Sequence, residues 1–377
     1  SHSFQVLLRG RADQARDFED WVDSHLYPLA LAIDEEGIYS AALLAFHQML
    51  LAGTTTVGEF FYLQNDARGR STGNANSRAV IRAAREVGLR IALLRTFYDQ
   101  GVKPGQARFK ETADVARRHT EELAAACAGD PAVSVLPAPH SLHGASEAAI
   151  RAAVELAEAW ECPFHIHLAE RAADVERAKA RFGCRPLEAL ERMGALGPRT
   201  VVVHGCWLDD GERARLAQAG GGLAYNPITN MYLGDGLTDL PDLVERGVPV
   251  SLGTDANTVL SVYAEMRAAE GLQRIRKGEM GVVARASRRP GTQALFEMGT
   301  SVGGRNLGIA AGRLEPGEWA DMVALDLSDP SLSPSAEDGG RELLGQVVFG
   351  MVPETAVRHV FVGGVPGLAK PIIAMSG

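Results

Sequence analysis

Three stretches of the 377-residue sequence place metal-compatible or proton-transferring groups directly after apolar runs: PFHIHLAE (163–170), TVVVHG (200–205) and VPVSLGTD (248–255). His165 and His167 are two residues apart and so share one face of a strand, and Glu170 follows where strand gives way to loop. An imidazole there could bind a metal with the carboxylate beside it. A histidine pair hydrogen-bonded within the interior is the ordinary alternative. His204 closes a run of three valines, and Asp255 ends VPVSLGT. Alone, that histidine has a structural reading and that aspartate a helix-capping one, but a buried carboxylate needs a cation, a metal or several donors to stay ionised. Three separate strand ends that deliver His, His and Asp, with Glu170 close to the first, are poorly explained by chance. Ligands of this kind without cysteine suit a catalytic Zn²⁺ with an open position, and Fe²⁺ fits the same types.

The elements that must hold these groups are short β-rich runs alternating with helical stretches, the pattern of a parallel α/β fold. One strand is expected to end at His2. Seven more are expected at 54–60, 89–95, 133–139, 163–170, 200–205, 221–226 and 248–255. Between them, IYSAALLAFHQMLLAG puts Ile38, Ala41, Ala45 and Met49 on one helical face, with Gly53 closing the end. NSRAVIRAAREVG reads as a helix opened by Asn76 and closed by Gly88. Eight strands with helical crossovers point to an α/β fold of the (β/α)8 TIM-barrel type over residues 1–310, with a doubly wound sheet as the lesser alternative. Runs such as VVV at 201–203 lack alternation, as strands covered on both faces do. After about residue 310 the texture turns rich in Gly, Pro and Asp, so residues 311–377 read as a small β appendage: SDPSLSPSAEDGG is expected to be an exposed loop and VRHVFVGGVPG a hairpin.

Composition narrows the function. With 46% hydrophobic residues and 23% charged, the chain can bury a large core. A net charge of −9 argues against a nucleic-acid binder, which needs clustered Lys and Arg. No apolar run reaches the ~18 to 20 residues that span a bilayer, and no basic-then-apolar leader precedes Ser1, so the expectation is a cytoplasmic protein without membrane partners. Cys127, Cys162, Cys184 and Cys206 are widely spaced and read as reduced thiols.

With these strand ends in place, the sequence resembles the amidohydrolase superfamily, in particular its metal-dependent deaminase branch, over essentially the whole chain. The pattern of that branch is HxH on strand one, HxxE on strand five, His on strand six and Asp on strand eight. The resemblance implies that His2 is the second histidine of HxH, and that His2, His167 and Asp255 are metal ligands. It implies Glu170 as proton shuttle and His204 as the residue that orients the attacking water, with Asp255 sharing the proton chemistry. It also places a histidine immediately before Ser1, and upstream strands that complete a small β-sandwich with the C-terminal part. A homo-oligomer, commonly a dimer, is the implied assembly.

Within the branch, HSFQ, EFFY, PHSLH and LGDG are most similar to formimidoylglutamate deiminases, which makes Gln5, Tyr62, His140 and His143 candidate substrate contacts. Two positions depart from that pattern. His143 stands where PHSLR has arginine, and Val22 follows Trp21 where an arginine is usual. Neither grips a carboxylate as a guanidinium fork does, leaving Arg9, Arg11 or Arg95 to compensate. AYNPITNMYLG departs toward deaminases of purine- or pyrimidine-like rings, with Asn226 and Asn230 in an NPxxN arrangement and Asn230 a substrate contact. The expected enzyme is thus a hydrolase acting on non-peptide C–N bonds, which releases ammonia from an amidine or formimino substrate such as an N-formimino amino acid. The alternative is an aminohydrolase of a purine-, pterin- or nucleoside-like heterocycle. A barrel that binds metal without catalysis is a third reading, opposed by the retention of Glu170, His204 and Asp255.

Overall fold

The computed structural model describes residues 1–290, 292–332 and 342–369. Seven parallel strands form the frame: β1 (Thr56–Phe61), β2 (Arg90–Phe97), β3 (Val133–Pro139), β4 (Phe164–Leu168), β5 (Thr200–His204), β6 (Gly222–Tyr225) and β7 (Val250–Leu252). They pair in chain order as β1-β2-β3 and β4-β5-β6-β7. The two groups join where the His167 N–H donates to the His140 carbonyl at 3.0 Å. β2 is buried at all eight positions and β5 at all five, so both are covered from both sides, as the apolar stretches Ile91–Leu94 and Val201–Val203 within them lead one to expect.

The ring closes between β7 and β1 through two residues. The N–H of Phe60 donates to the Ser1 carbonyl at 2.8 Å, and the N–H of His2 donates to the Asp255 carbonyl at 2.8 Å. The expected strand ending at His2 is therefore realised only as this bridge. Ser3–Leu8, which follows, winds into a 3-10 helix, and two residues are too few for a ladder. The result is an α/β barrel of the TIM type, whose interior below His2 and Asp255 opens into a cavity of about 800 Å³ reaching Thr56, Ser251 and Leu307.

Helices cover the outside. Glu35–Leu51 starts at Asp34, whose carboxylate caps the Gly37 N–H, and buries Ile38, Ala41, Ala45 and Met49 as their spacing predicts. Ala75–Val87 opens one turn-edge earlier than the sequence suggests. Asn74, at φ 68°, is its first flanking residue, while Asn76 lies inside the helix and donates to the Leu63 carbonyl at 2.8 Å. Gly88 closes it in the left-handed conformation as expected. Ala172–Phe182 follows β4, and the short helix Pro227–Leu233 follows β6. None of the described helices is long and apolar enough to cross a membrane.

A separate antiparallel sheet, β8 (Met322–Leu325), β9 (Val357–Val362) and β10 (Val365–Ala369), carries the expected hairpin. Its turn is Gly363-Gly364 with φ 59° and 80°, the left-handed pair that a two-residue hairpin needs. The sheet docks on the barrel through Arg90 of β2, which meets Asp321 at 3.1 Å and stacks 3.9 Å over the Trp319 ring. Residues 333–340 of the anticipated exposed loop lie outside the described residues. Its first part departs from expectation, because Asp329 and Leu332 are buried. The Asp329 carboxylate accepts from the Ser331 N–H at 2.9 Å and the Ser331 hydroxyl at 2.6 Å, a local turn that turn-forming residues supply even under cover.

Candidate active site

At the C-terminal rim of the barrel His2, His167 and Asp255, all buried, bring ligand atoms within 4.8 Å of one another. Their orientation is set from behind. His2 Nδ1 donates to the Phe60 carbonyl at 2.6 Å, and His167 Nδ1 donates to the His140 carbonyl at 3.0 Å. With Nδ1 held by a carbonyl, each ring turns its Nε2 away from that carbonyl, the backbone-fixed orientation found behind metal-ligating histidines. His2 Nε2 lies 3.0 Å from Asp255 Oδ1. Two imidazole nitrogens and a carboxylate oxygen that converge in this way are the donor set of a divalent metal. Burial pushes the Asp255 carboxyl up, but His204 and His2 outweigh it and hold the group well below the ordinary range, hence ionised.

His165, on the same strand face as His167, is one layer deeper, where its Nε2 donates to the Asn306 carbonyl at 2.8 Å. Of the two it is the structural histidine. Local backbone strain marks the rim. Four of the seven non-glycine residues with positive φ among the described residues, Ala169, His204, Asp255 and Asn257, follow or end β4, β5 and β7, and such strain collects where a fold must aim functional groups. Two residues before Asp255, Gly253 lets the Asn226 side chain approach closely, since a Cβ there would lie 2.4 Å from Asn226 Oδ1.

His204 is 1% exposed and sits between two sets of partners. Its Nδ1 accepts from Asn230 Nδ2 at 2.9 Å, which leaves the proton on Nε2. Nε2 points at Glu170 Oε1 and Asp255 Oδ2, 3.7 Å from each. Burial, reinforced by Asp174 and Asp255, holds the Glu170 carboxyl well above its usual value and keeps it neutral. Asp235, in contact with Asn230 Nδ2 at 3.2 Å, is pushed up to about 8, mainly by burial and then by Glu170. Glu170, His204 and Asp235 also lie within 4.8 Å of one another. Two carboxyls that favour the neutral form suit proton donation better than cation binding.

The remaining expected contacts gather on one side. Gln5 Nε2 donates to the Tyr62 hydroxyl at 2.7 Å, and the Tyr62 ring stands edge-on to His2 and His140 at 5.1 and 5.6 Å. The His140 ring lies 5.1 Å from that of His167. His143 is on the wall of a cavity of about 440 Å³ that His167 and Glu170 also line. Asn230 uses its amide donor on His204 and Asp235, and its Oδ1 has no partner. Arg95 is fully buried between Glu111 and Asn74, and Arg9 bonds the Val6 carbonyl, so neither faces that cavity. Two groups escaped the sequence reading. Asp235 is the aspartate of the LGDG motif, and Arg177 and Arg181 share a face of the helix after β4; their mutual i, i+4 spacing, with Arg177 three residues after Asp174, was the available signal for the arginines.

The model of the amidohydrolase family matches residues 1–366. The 5′-deoxyadenosine deaminase of Methanothermobacter thermautotrophicus is 32% identical over 89% of this chain and 73% of its own length. A 5-methylthioadenosine/S-adenosylhomocysteine deaminase of Syntrophobacter fumaroxidans is 30% identical over 89% of this chain and 72% of its own. Among solved structures, an amidohydrolase from Brucella melitensis superposes with a TM-score of 0.88 at 28% identity, over 98% of this chain and 84% of that one. An adenosine deaminase from Xanthomonas campestris with bound zinc gives 0.83 at 26%, over 98% and 78%. Three of these four are named for adenosine-type substrates, so they do not support the narrower likeness to formimidoylglutamate deiminases. Barrel frame, metal-compatible rim and a match over nearly all of its length agree: the chain belongs to the amidohydrolase family.

Proposed function

We propose that the protein is a metal-dependent hydrolytic deaminase that releases ammonia from an adenine-type nucleoside. The observation that carries the chemistry is His204 Nε2 poised 3.7 Å from both Glu170 and Asp255, beside the His2–His167–Asp255 donors. The substrate class draws on the activities for which relatives at 30–32% identity are named. When bound by those three donors, a divalent ion supplies water acidified toward neutrality.

The chain's own residues do the rest. His204, held in its Nε2–H form by Asn230, donates to the attacking oxygen and aims it at the amine-bearing carbon. Asp255 Oδ2, 3.7 Å from the same Nε2, takes the second proton of the attacking oxygen and passes it to the departing amine. Glu170, kept neutral by burial, protonates the adjacent ring nitrogen and is then reprotonated from the water. A C–O bond forms, the C–N bond breaks, and the two water hydrogens end on the ring nitrogen and on ammonia. Gln5, Tyr62 and His140 form the wall against which the ring is placed, and Zn²⁺ is the preferred metal.

The test is ammonia release by metal-loaded enzyme across 5′-deoxyadenosine, methylthioadenosine and adenosine in parallel with N-formimino amino acids. Turnover confined to the nucleosides is expected. Turnover confined to the formimino compounds would replace this reading with the one carried by HSFQ, EFFY and PHSLH.

A further inference from the structure

The cavity of about 440 Å³ runs outward from His167 and Glu170, between the loop after β3 and the helix Ala172–Phe182. Its middle is apolar, with Leu142, Leu168 and Phe182 on its walls. Its outer part is basic. Arg177 and Arg181 lie four residues apart and so on one helix face, turned to this cavity. Arg177 is committed to Asp174 at 2.5 Å. Arg181 is different. Its Nη1 donates to the Leu142 carbonyl at 2.8 Å and its guanidinium packs 4.9 Å from the Phe182 ring, but among the described residues no carboxylate lies within 4.0 Å of it. The guanidinium is therefore oriented by two neighbours at the solvent-exposed end of the cavity, with no carboxylate among the described residues to occupy it.

We infer that Arg181 determines specificity, by binding an oxyanion carried at the far end of the substrate and separated from the reacting ring by an apolar spacer. This rests on the reading of the reacting end as a deaminase site, and it names the class of substrate that site takes. A guanidinium fork holds a carboxylate or phosphate in two parallel hydrogen bonds. The grip that His143 and Val22 do not provide thus comes from the next helix.

The experiment uses metal-loaded full chain, parent and Arg181→Met, with matched pairs. One pair is a 5′-thioether adenine nucleoside whose spacer ends in carboxylate or in methyl, with a nucleoside 5′-phosphate as the phosphate arm. The other is N-formimino-glutamate and N-formimino-norvaline. In the pair that responds, Arg181→Met is expected to raise KM for the anionic member by roughly 10- to 100-fold, the worth of a charge-assisted hydrogen bond, and to leave the methyl member within about twofold. Arg181→Lys should recover part of the loss, and the methyl member certifies that the variant is folded. Equal effects on both members, or none, would overturn the inference. A response from the formimino pair alone would sink the nucleoside reading while the comparison within that pair still judges Arg181. If neither pair is turned over, calorimetric titration of the same pairs decides: parent enzyme that binds the anionic member no more tightly than the methyl one refutes it.

Discussion

Replacing Glu170 by glutamine keeps the shape and hydrogen-bonding reach of the side chain and removes only its ability to lose and regain a proton. Glu170 is not among the three clustered metal donors, so metal content should stay at the parent level. The general acid is worth about 10²–10⁴ in rate, or roughly 3–5 kcal/mol of barrier at 1.36 kcal/mol per decade, and kcat should fall by that factor with little change in KM. The pH profile adds a second readout. Burial holds the Glu170 carboxyl above its usual range, so the neutral donor is present at low and neutral pH and is lost as pH rises through the raised value. The parent's alkaline limb should contain that loss, and the variant's should lack it. Stability gives a third, in metal-free protein. An unfolded glutamate ionises near ~4.3, whereas the folded one stays neutral to higher pH, so the folded state binds the extra proton within that window. Stability then falls as pH rises across it. Glutamine has no such slope, and the difference between thermal midpoints at pH 5 and pH 8 should be smaller in the variant. Parent-level turnover with unaltered metal content would refute the assignment of Glu170 as proton donor.

Asp255→Ala should leave His2 Nε2 without its 3.0 Å partner and lower metal affinity by more than ~100-fold, beyond the 10–100-fold typical of groups one step removed from a metal; elemental analysis after dialysis, and loss of the zinc-induced rise in thermal midpoint that mass action gives the parent, would show it. Arg95→Met strands Glu111, which also bonds His119 at 2.6 Å, as an uncompensated buried charge. Denaturant unfolding should report a loss of about 3–5 kcal/mol, while the folded fraction keeps the parent KM, because Arg95 does not face the reaction cavity.

Strand ends were readable because strand geometry is local. A run such as VVVH determines that its histidine leaves the barrel at the exit face, whatever lies around it, and the same holds for HIHLAE and SLGTD. Period two also put His165 and His167 on one face. Depth along that face is a tertiary quantity, and only the packed barrel separates His167, at the rim, from His165, tied to Asn306. Helix faces were equally legible, whereas the opening of Ala75–Val87 moved from Asn76 to Asn74 because the Asn76 side chain is drawn inward to the Leu63 carbonyl.

What the sequence by itself determined, then, is the parallel α/β order, the hairpin at Gly363-Gly364, and the identity of the residues at each strand exit, since each depends on a few neighbouring dihedrals and an apolar period. The tertiary structure decided which of those residues meet. His2 and Asp255 are joined only by closure of the ring. The tautomer of His204 is set by Asn230 from the helix Pro227–Leu233, and Asp235 and Arg181 gain their surroundings from segments folded over them. Charge state, burial and cavity depend on distance in space, and separation along the chain carries no information about it until the barrel has closed.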